Sequence, residues 1–308
     1  MRLYHHPDAI LHHVPTGHPE RPDRITSVMK MLDDDFPELQ RQRAPMAQEA
    51  QLAAIHDEAY LEALYAMVPS HGLVGIDGDT YLSPESVDIA KKGAGAACAA
   101  IDDVMTGASQ TAFVAMRPPG HHAEPDRAMG FCLFSNAAIA AAHAQKTYGI
   151  SRVAVLDFDV HHGNGTQAAF WDRPDCLYAS THQMPLYPGT GHSDETGKGN
   201  IFNQPLAAGM DGNDVRTAWQ SLLGKLAAAG PELIIISAGF DAHQADPLAG
   251  LEMQSSDFYE LTSSIMSLAE KTADGRVISL LEGGYDLDAL TSSVHCHITA
   301  MLGRTLSA

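Results

Sequence analysis

Four short apolar runs, at 111–116, 153–158, 233–237 and 277–281, each give way at once to a polar, glycine-bearing segment. Continuous apolar runs of this length read as strands buried on both faces, which is the condition of a parallel sheet covered by helices. Helical patterns surround them at 83–105, 135–148, 213–229 and 255–273, with Ser83 as the expected N-cap of the first, Pro84 at its first position, and Ser255 or Ser256 capping the last. Strands and helices alternating at this spacing imply an α/β chain with a mainly parallel central sheet and helices on both faces. No repeat, low-complexity tract or linker interrupts residues 1–308, so a single domain is expected.

The segments that follow the strands hold the chemistry. After the first run stand Arg117, His121 and His122; in and after the second stand Asp157, Asp159, His161 and Asn164. The third is followed by Asp241 and the fourth by Glu282 and Tyr285. All strands of a parallel sheet end on one edge, where open α/β folds bind ligands, so these segments are expected to meet in one crevice.

Charge narrows the partners. The 308 residues hold 19 Lys and Arg against 38 Asp and Glu, a formal charge of -19. That field repels phosphate backbones and anionic lipid and leaves cations and lysine-rich segments as suitable partners. Solubility alone would also account for acidity. The four cysteines, Cys98, Cys132, Cys176 and Cys296, form no Cys-x-x-Cys pair, and the first ten residues carry no apolar leader core. A soluble, cytoplasmic protein without disulfides is the expectation.

Asp157, Asp159 and His161 recur at i, i+2, i+4, which in an extended segment projects them to one side. Carboxylates buried at the end of an apolar strand need a partner, and a cation supplies it. Asp and His suit Zn²⁺, Fe²⁺ or Mn²⁺ better than Cu⁺; Asp159, His161 and Asp241 make a three-ligand set with a position left for water, and Asp157 is left to support it. Gly163-x-Gly165-x-x-Ala168 imitates a dinucleotide loop, but the acids before it would face a pyrophosphate. Gly197-Lys198 lacks the rest of a phosphate loop, and no Gly-x-Ser-x-Gly occurs.

Adjacent histidines at 121 and 122 point in different directions and suit proton transfer near neutral pH. A carboxylate partner such as Asp157 favours the imidazolium and an amide partner such as Asn164 does not, which makes His122 the general base and His121 its electrostatic support. Gly283 and Gly284 allow a tight bend that carries the Tyr285 phenol into the crevice as an oxyanion donor, the arrangement an amide hydrolase needs.

The segments RPPGHHAEPDRAMGFC, LDFDVHHGNGTQ, SAGFDAHQADPLAG and LEGGYD resemble those of the zinc-dependent histone deacetylase superfamily, in particular its class II and bacterial amidohydrolase branch. The likeness runs from HPERPDR at His18–Arg24 through LEGGYD, most of the chain, with the motifs in order. It implies a three-layer α/β/α sandwich and one catalytic Zn²⁺ per chain on Asp159, His161 and Asp241. It further implies His121–Asp157 and His122–Asn164 dyads and Tyr285 as oxyanion donor. A structural K⁺ would sit on Asp157, the backbone oxygens of Asp159 and His161, and Ser180 with Thr181. Phe131, Tyr187 and Gly130 would line an acyl-lysine tunnel with Leu248 at its mouth, and Arg24 would stand by an internal acetate channel.

Asn164, where class I members have Asp, agrees with class II. Tyr187 replaces the usual second phenylalanine wall, Leu248 stands where polyamine-selective relatives carry a glutamate, and Gly163 replaces the carboxylate of a second, arginase-like metal. The implied reaction is hydrolysis of an N-acetyl or other N-acyl amide on a lysine side chain or similar amine. Alternatives are an acetylpolyamine amidohydrolase of the same mechanism, a non-catalytic acyl-lysine binding module and a two-metal hydrolase. The Asp77-Gly78-Asp79 loop is positioned in sequence to anchor a substrate backbone or amine. Acyl length, substrate and oligomeric state stay open.

Overall fold

The computed structural model describes residues 1–306, and in it the four apolar runs become the strands β5 (Thr111–Val114), β6 (Val153–Asp157), β9 (Leu233–Ala238) and β10 (Val277–Leu281). Every residue of these four is buried. They join β1 (Arg2–His5), β2 (Gln40–Arg43), β7 (Cys176–Gln183) and β8 (Ile201–Leu206) in one eight-stranded sheet, while β3 (Val74–Gly75) and β4 (Tyr81–Leu82) form a separate small antiparallel pair. The order is β2-β1-β5-β10-β9-β6-β7-β8, and each neighbouring pair is parallel. β5, β10, β9 and β6 are therefore contiguous, and the four segments that follow them emerge side by side.

The helices are α1 (Asp23–Asp35), α2 (Glu49–Leu52), α3 (Glu58–Ala66), α4 (Ser86–Thr106), α5 (Asn136–Tyr148), α6 (Asn164–Phe170), α7 (Gly212–Ala229), α8 (Ser255–Thr272) and α9 (Leu287–Met301). α4 and α5 pack on each other and over the central strands, and α7, α8, α9 and α1 follow one another across the opposite face. Among the described residues no helix is long and apolar enough to cross a membrane.

Two capping expectations are corrected. The first long helix starts at Ser86, not at Pro84: the Ser86 amide donates to the Ser83 carbonyl at 3.1 Å, and the Ser83 hydroxyl donates to the Leu11 carbonyl. At α8 the cap is Gln254, whose amide donates to Asp257 Oδ2 at 2.8 Å, while the Ser255 hydroxyl meets that of Ser292 on α9. Both serines are captured by tertiary partners, which compete with local capping.

Strand β7 (Cys-Leu-Tyr-Ala-Ser-Thr-His-Gln) lacks an apolar run, yet all of it is buried. Its polar groups are paired: Ser180 Oγ lies 2.9 Å from His182 Nδ1, Thr181 Oγ1 accepts from Trp219 Nε1 on α7 at 2.8 Å, and Gln183 Oε1 accepts from the Gly250 amide at 2.7 Å. Satisfied in this way, polar side chains are compatible with a core strand.

A buried imidazole ties three elements. His297 on α9 lies 2.7 Å from Thr262 Oγ1 on α8 and 2.8 Å from Ser279 Oγ on β10, with Phe158 and Phe240 against its ring. Burial pushes its pKa from 6.5 down to about 3, so the folded chain keeps it neutral. Above 6.5 both folded and unfolded imidazoles are neutral and its contribution is fully present. As pH falls below 6.5 the unfolded chain takes a proton that the folded chain refuses, and stability is lost toward the folded value. In urea unfolding series between about pH 6 and about pH 4, His297→Gln is expected to lose stability less steeply than the parent, by about 1.4 kcal/mol per pH unit. Equal slopes would refute this.

Candidate active site

Strand β6 ends at Asp157, and the chain beyond it is held by its own carboxylates rather than continuing as extended strand. Asp157 Oδ1 accepts the Asp159 amide at 3.2 Å, and Asp159 Oδ1 accepts the His161 amide at 2.9 Å. These short turns separate roles that simple alternation put together: Asp157 turns toward the histidine pair, while Asp159 and His161 turn toward Asp241 in the segment after β9. His161 Nδ1 lies 3.1 Å from Asp159 Oδ1 and 3.1 Å from Asp241 Oδ2, and one ligand atom from each of the three residues lies within 4.8 Å of the others. Those separations approach the edge of about 3.3 Å between donor atoms set tetrahedrally around one small cation at roughly 2.0–2.1 Å, and a nitrogen with two carboxylate oxygens is a zinc-type donor set.

The other carboxylate oxygens of this set are hydrogen-bonded as well. Asp241 Oδ1 accepts the Val160 amide at 2.9 Å, and Asp159 Oδ2 accepts the Gly283 amide at 2.9 Å. Gly283 has no room for a side chain: a Cβ there would stand 2.2 Å from Asp241 Oδ2 and 2.6 Å from Asp159 Oδ2. Burial and then the charge of Asp159 push Asp241 up to about 7. Burial opposes charge on Asp159 as well, but His121 and His161 hold it well below the usual carboxylate range. Two carboxylates this deep require a positive partner between them.

The histidine pair is anchored through both backbone and side chain. Glu282, at the end of β10, accepts the Gly120 amide at 2.6 Å and the His121 amide at 3.2 Å on Oε2. His121 Nδ1 donates to Asp157 Oδ2 at 3.1 Å, which also accepts from the Tyr178 hydroxyl at 3.1 Å, and that hydroxyl accepts the Gly163 amide at 3.0 Å. His122 Nδ1 lies 2.8 Å from Asn164 Oδ1, and the two imidazole rings stand 4.0 Å apart. Burial disfavours charge on both. Asp159 and Asp157 overcome it at His121 and raise that group to about 10, whereas at His122 burial is joined by the positive neighbours His121 and His161 and the pKa falls well below 6.5. One ring is thus held charged and the other neutral.

A cavity of about 330 Å³ reaches this cluster, and His122, His161, Phe131, Tyr187, Leu248 and Tyr285 line it. Phe131 adopts φ 69°, an unfavourable region for a bulky residue, directly after Gly130, where a Cβ would meet the His122 ring at 2.5 Å. The Phe131 amide donates to Thr80 Oγ1 at 3.0 Å, His18 packs edge-on against its ring, and Asp79 shares the lining. Asp79 itself is half-buried, with a pKa raised by burial and by Asp77. The Tyr187 ring stands edge-on to His122 at 5.1 Å.

Tyr285 is oriented from two sides. Its amide donates at 2.7 Å to Asp246 Oδ2, whose other oxygen accepts the Leu248 amide at 3.0 Å, and the Arg24 guanidinium lies 4.9 Å from its ring centre. Burial pushes the phenol well above its ordinary value, so it stays a proton donor. Arg24 donates to the carbonyls of Gly284 and Glu282 and to Glu20, which accepts two bonds from Arg117 as well. The guanidinium thereby supports the turn that carries Tyr285.

Every metal ligand, dyad member and cavity residue expected from sequence lies in this one region. The group expected around potassium divides. Asp157 and Ser180 are paired across β6 and β7, but the Thr181 hydroxyl is directed to Trp219 on the other side of the sheet, leaving only its backbone for an ion beside Asp157. The Gly165 amide donates to the His121 carbonyl at 3.0 Å, so that loop is not an open phosphate cradle. Sequence reasoning missed Tyr178, Asp246, Glu20 and Glu124, which reach the site only through other residues. Glu20, Glu124 and Asp246 lay within the quoted motifs, and that was the signal available for them.

A family model described as the histone deacetylase domain matches residues 18–301. Histone deacetylase 14, chloroplastic, of Arabidopsis thaliana is 38% identical over 98% of this chain and 77% of its own length. A histone deacetylase-like amidohydrolase of Pseudomonas aeruginosa is 39% identical over 87% of this chain and 73% of its own. The solved HDA15 HD domain superposes with a TM-score of 0.91 at 32% identity, covering 99% of this chain and 91% of that one. Shared motifs, architecture and site geometry together establish that the chain is an enzyme belonging to the histone deacetylase family.

Proposed function

We propose that the protein hydrolyses the N-acyl amide of an acyl-lysine side chain, releasing acetate from acetyl-lysine. The observation that carries this reading is the cavity of about 330 Å³, walled by Phe131, Tyr187 and Leu248 and closed by His122, His161 and Tyr285, which suits a slender linear amide rather than a branched one. Asp159, His161 and Asp241 would hold a Zn²⁺ ion, which would supply Lewis acidity toward the acyl carbonyl and the attacking water.

This chain's own groups handle the protons. His122 is held neutral with Nδ1 turned to Asn164, so Nε2 accepts the proton of the attacking water. His121, charged and paired with Asp157, keeps positive potential beside the growing negative charge. The Tyr285 hydroxyl, kept protonated by burial, donates to the acyl oxygen as it gains charge. His122 then returns its proton to the departing amine. Asp157, Ser180 and the backbone oxygens of Asp159, His161 and Thr181 would hold a potassium ion beside β6, an all-oxygen set that would brace the same segment.

Acetylated polyamines offer the same amide on a cationic chain, and Asp79 in the cavity lining would favour them equally. Comparing kcat/KM on an acetyl-lysine peptide and on N-acetylputrescine decides: the peptide is expected to be preferred, and a preference for the diamine would overturn the lysine assignment. Tyr285→Phe is expected to lower kcat by about 10²-fold or more while retaining metal. Turnover close to the parent's would remove Tyr285 from the oxyanion role. Asp241→Ala should leave dialysed protein without zinc by elemental analysis, and full retention would refute the ligand set.

A further inference from the structure

Asn164 meets His122 with one end of its amide, and what lies at the other end settles which end that is. Its Nδ2 stands 2.6 Å from Glu124 Oε1, 3.3 Å from the His122 carbonyl oxygen and 3.3 Å from Met129 Sδ. All three are acceptors without a proton to give. Turning the amide over would set its oxygen 2.6 Å from the Glu124 carboxylate, oxygen against oxygen. The carboxylate therefore locks Asn164 with Nδ2 outward and Oδ1 toward His122 Nδ1, 2.8 Å away.

An amide oxygen accepts only, so His122 Nδ1 must carry the hydrogen. A neutral imidazole has one N–H, and the lone pair is then left on Nε2, the nitrogen not tied to Asn164. With the amide reversed, its NH₂ would call for a lone pair on Nδ1 and the hydrogen would move to Nε2, which could no longer accept a proton.

We propose that Glu124 is a positioning residue for the general base: it fixes the Asn164 amide and through it the reactive tautomer of His122. This rests on the reading of His122 as base given above. Glu124 does not line the substrate cavity. It borders a separate surface cleft of about 550 Å³ with Asp77, Arg127 and Thr190, where its second oxygen pairs with Arg127. It touches no reacting atom and acts through Asn164 alone.

Glu124→Ala is expected to lower kcat about tenfold to a hundredfold, the range for outer partners of catalytic groups, with KM changed less than about twofold. Glu124→Gln, which still offers an oxygen to Asn164, should restore most of that loss, and Arg127→Ala, which removes the ion pair but not the Asn164 contact, should behave like the parent. In an Asn164→Ala background, Glu124→Ala should cost nothing more.

The decisive readout is the ¹⁵N spectrum of histidine-labelled, zinc-loaded protein. His122 should show a protonated Nδ1 and a bare Nε2 in the parent and in Glu124→Gln, and a shift toward protonated Nε2 in Glu124→Ala. An unchanged tautomer in Glu124→Ala, or a Glu124→Gln variant as impaired as Glu124→Ala, overturns the proposal. The spectrum needs no turnover, so a protein inactive on every acyl-lysine substrate that still shows the tautomer shift would sink the function reading and leave the positioning role standing.

Discussion

Five carboxylates, those of Glu20, Asp157, Asp159, Asp241 and Glu282, are at most 1% exposed beside one edge of the sheet, and the site is organised around neutralising them. Isolated, each would be too costly to keep ionised. Arg117 and Arg24 converge on Glu20, and His121 is held charged by Asp157 and Asp159. Two arginines and one imidazolium leave two negative charges, which a divalent cation held by Asp159 and Asp241 would balance, with His161 then free to serve as a neutral ligand. Burial drives Asp241 and Glu282 up to about 7, while Asp159 and Asp241 outweigh burial at His161 and raise it to about 10, the response of a site short of positive charge.

The sheet makes this concentration of charge feasible. Because β5, β10, β9 and β6 are contiguous and parallel, backbone amides from one segment reach the carboxylates of the next: Gly120 and His121 to Glu282, Gly283 to Asp159, Val160 to Asp241. Each such bond replaces water that burial has removed. The same bonds fix the imidazoles and the phenol before substrate arrives, so little reorganisation remains for the chemical step. Gly283 is indispensable here for lack of a side chain, since its backbone runs against both carboxylates.

Much of the fold was legible in the chain. The runs that became β5, β6, β9 and β10 are apolar throughout because helices cover both faces. The strands that left no such trace are instructive. β2 is Gln-Arg-Gln-Arg at a sheet edge, where one side faces solvent, and β7 buries Ser180, Thr181, His182 and Gln183 on partners supplied by distant segments. Hydrophobic periodicity cannot register a polar residue whose partner lies elsewhere in the chain. Ser83 and Ser255 misled for the same reason, their hydroxyls being taken by Leu11 and Ser292 rather than by a helix end.

By itself the sequence determined the ingredients and their grouping. Buried strands followed at once by Asp, His, Asn and Tyr mark a metal-dependent hydrolytic edge, because ligand-type residues next to apolar strands have few other ways to be satisfied. Which oxygen faces which nitrogen was decided only by the tertiary structure. Asp157 serves His121 while Asp159 joins His161 and Asp241, because turns at the end of β6 separate them; Arg24 braces Tyr285; and Glu124, forty residues before Asn164, determines which end of that amide meets His122. Hydrogen-bond direction depends on ångström-scale placement of donors and acceptors from different segments, and residue spacing along a chain carries no record of it.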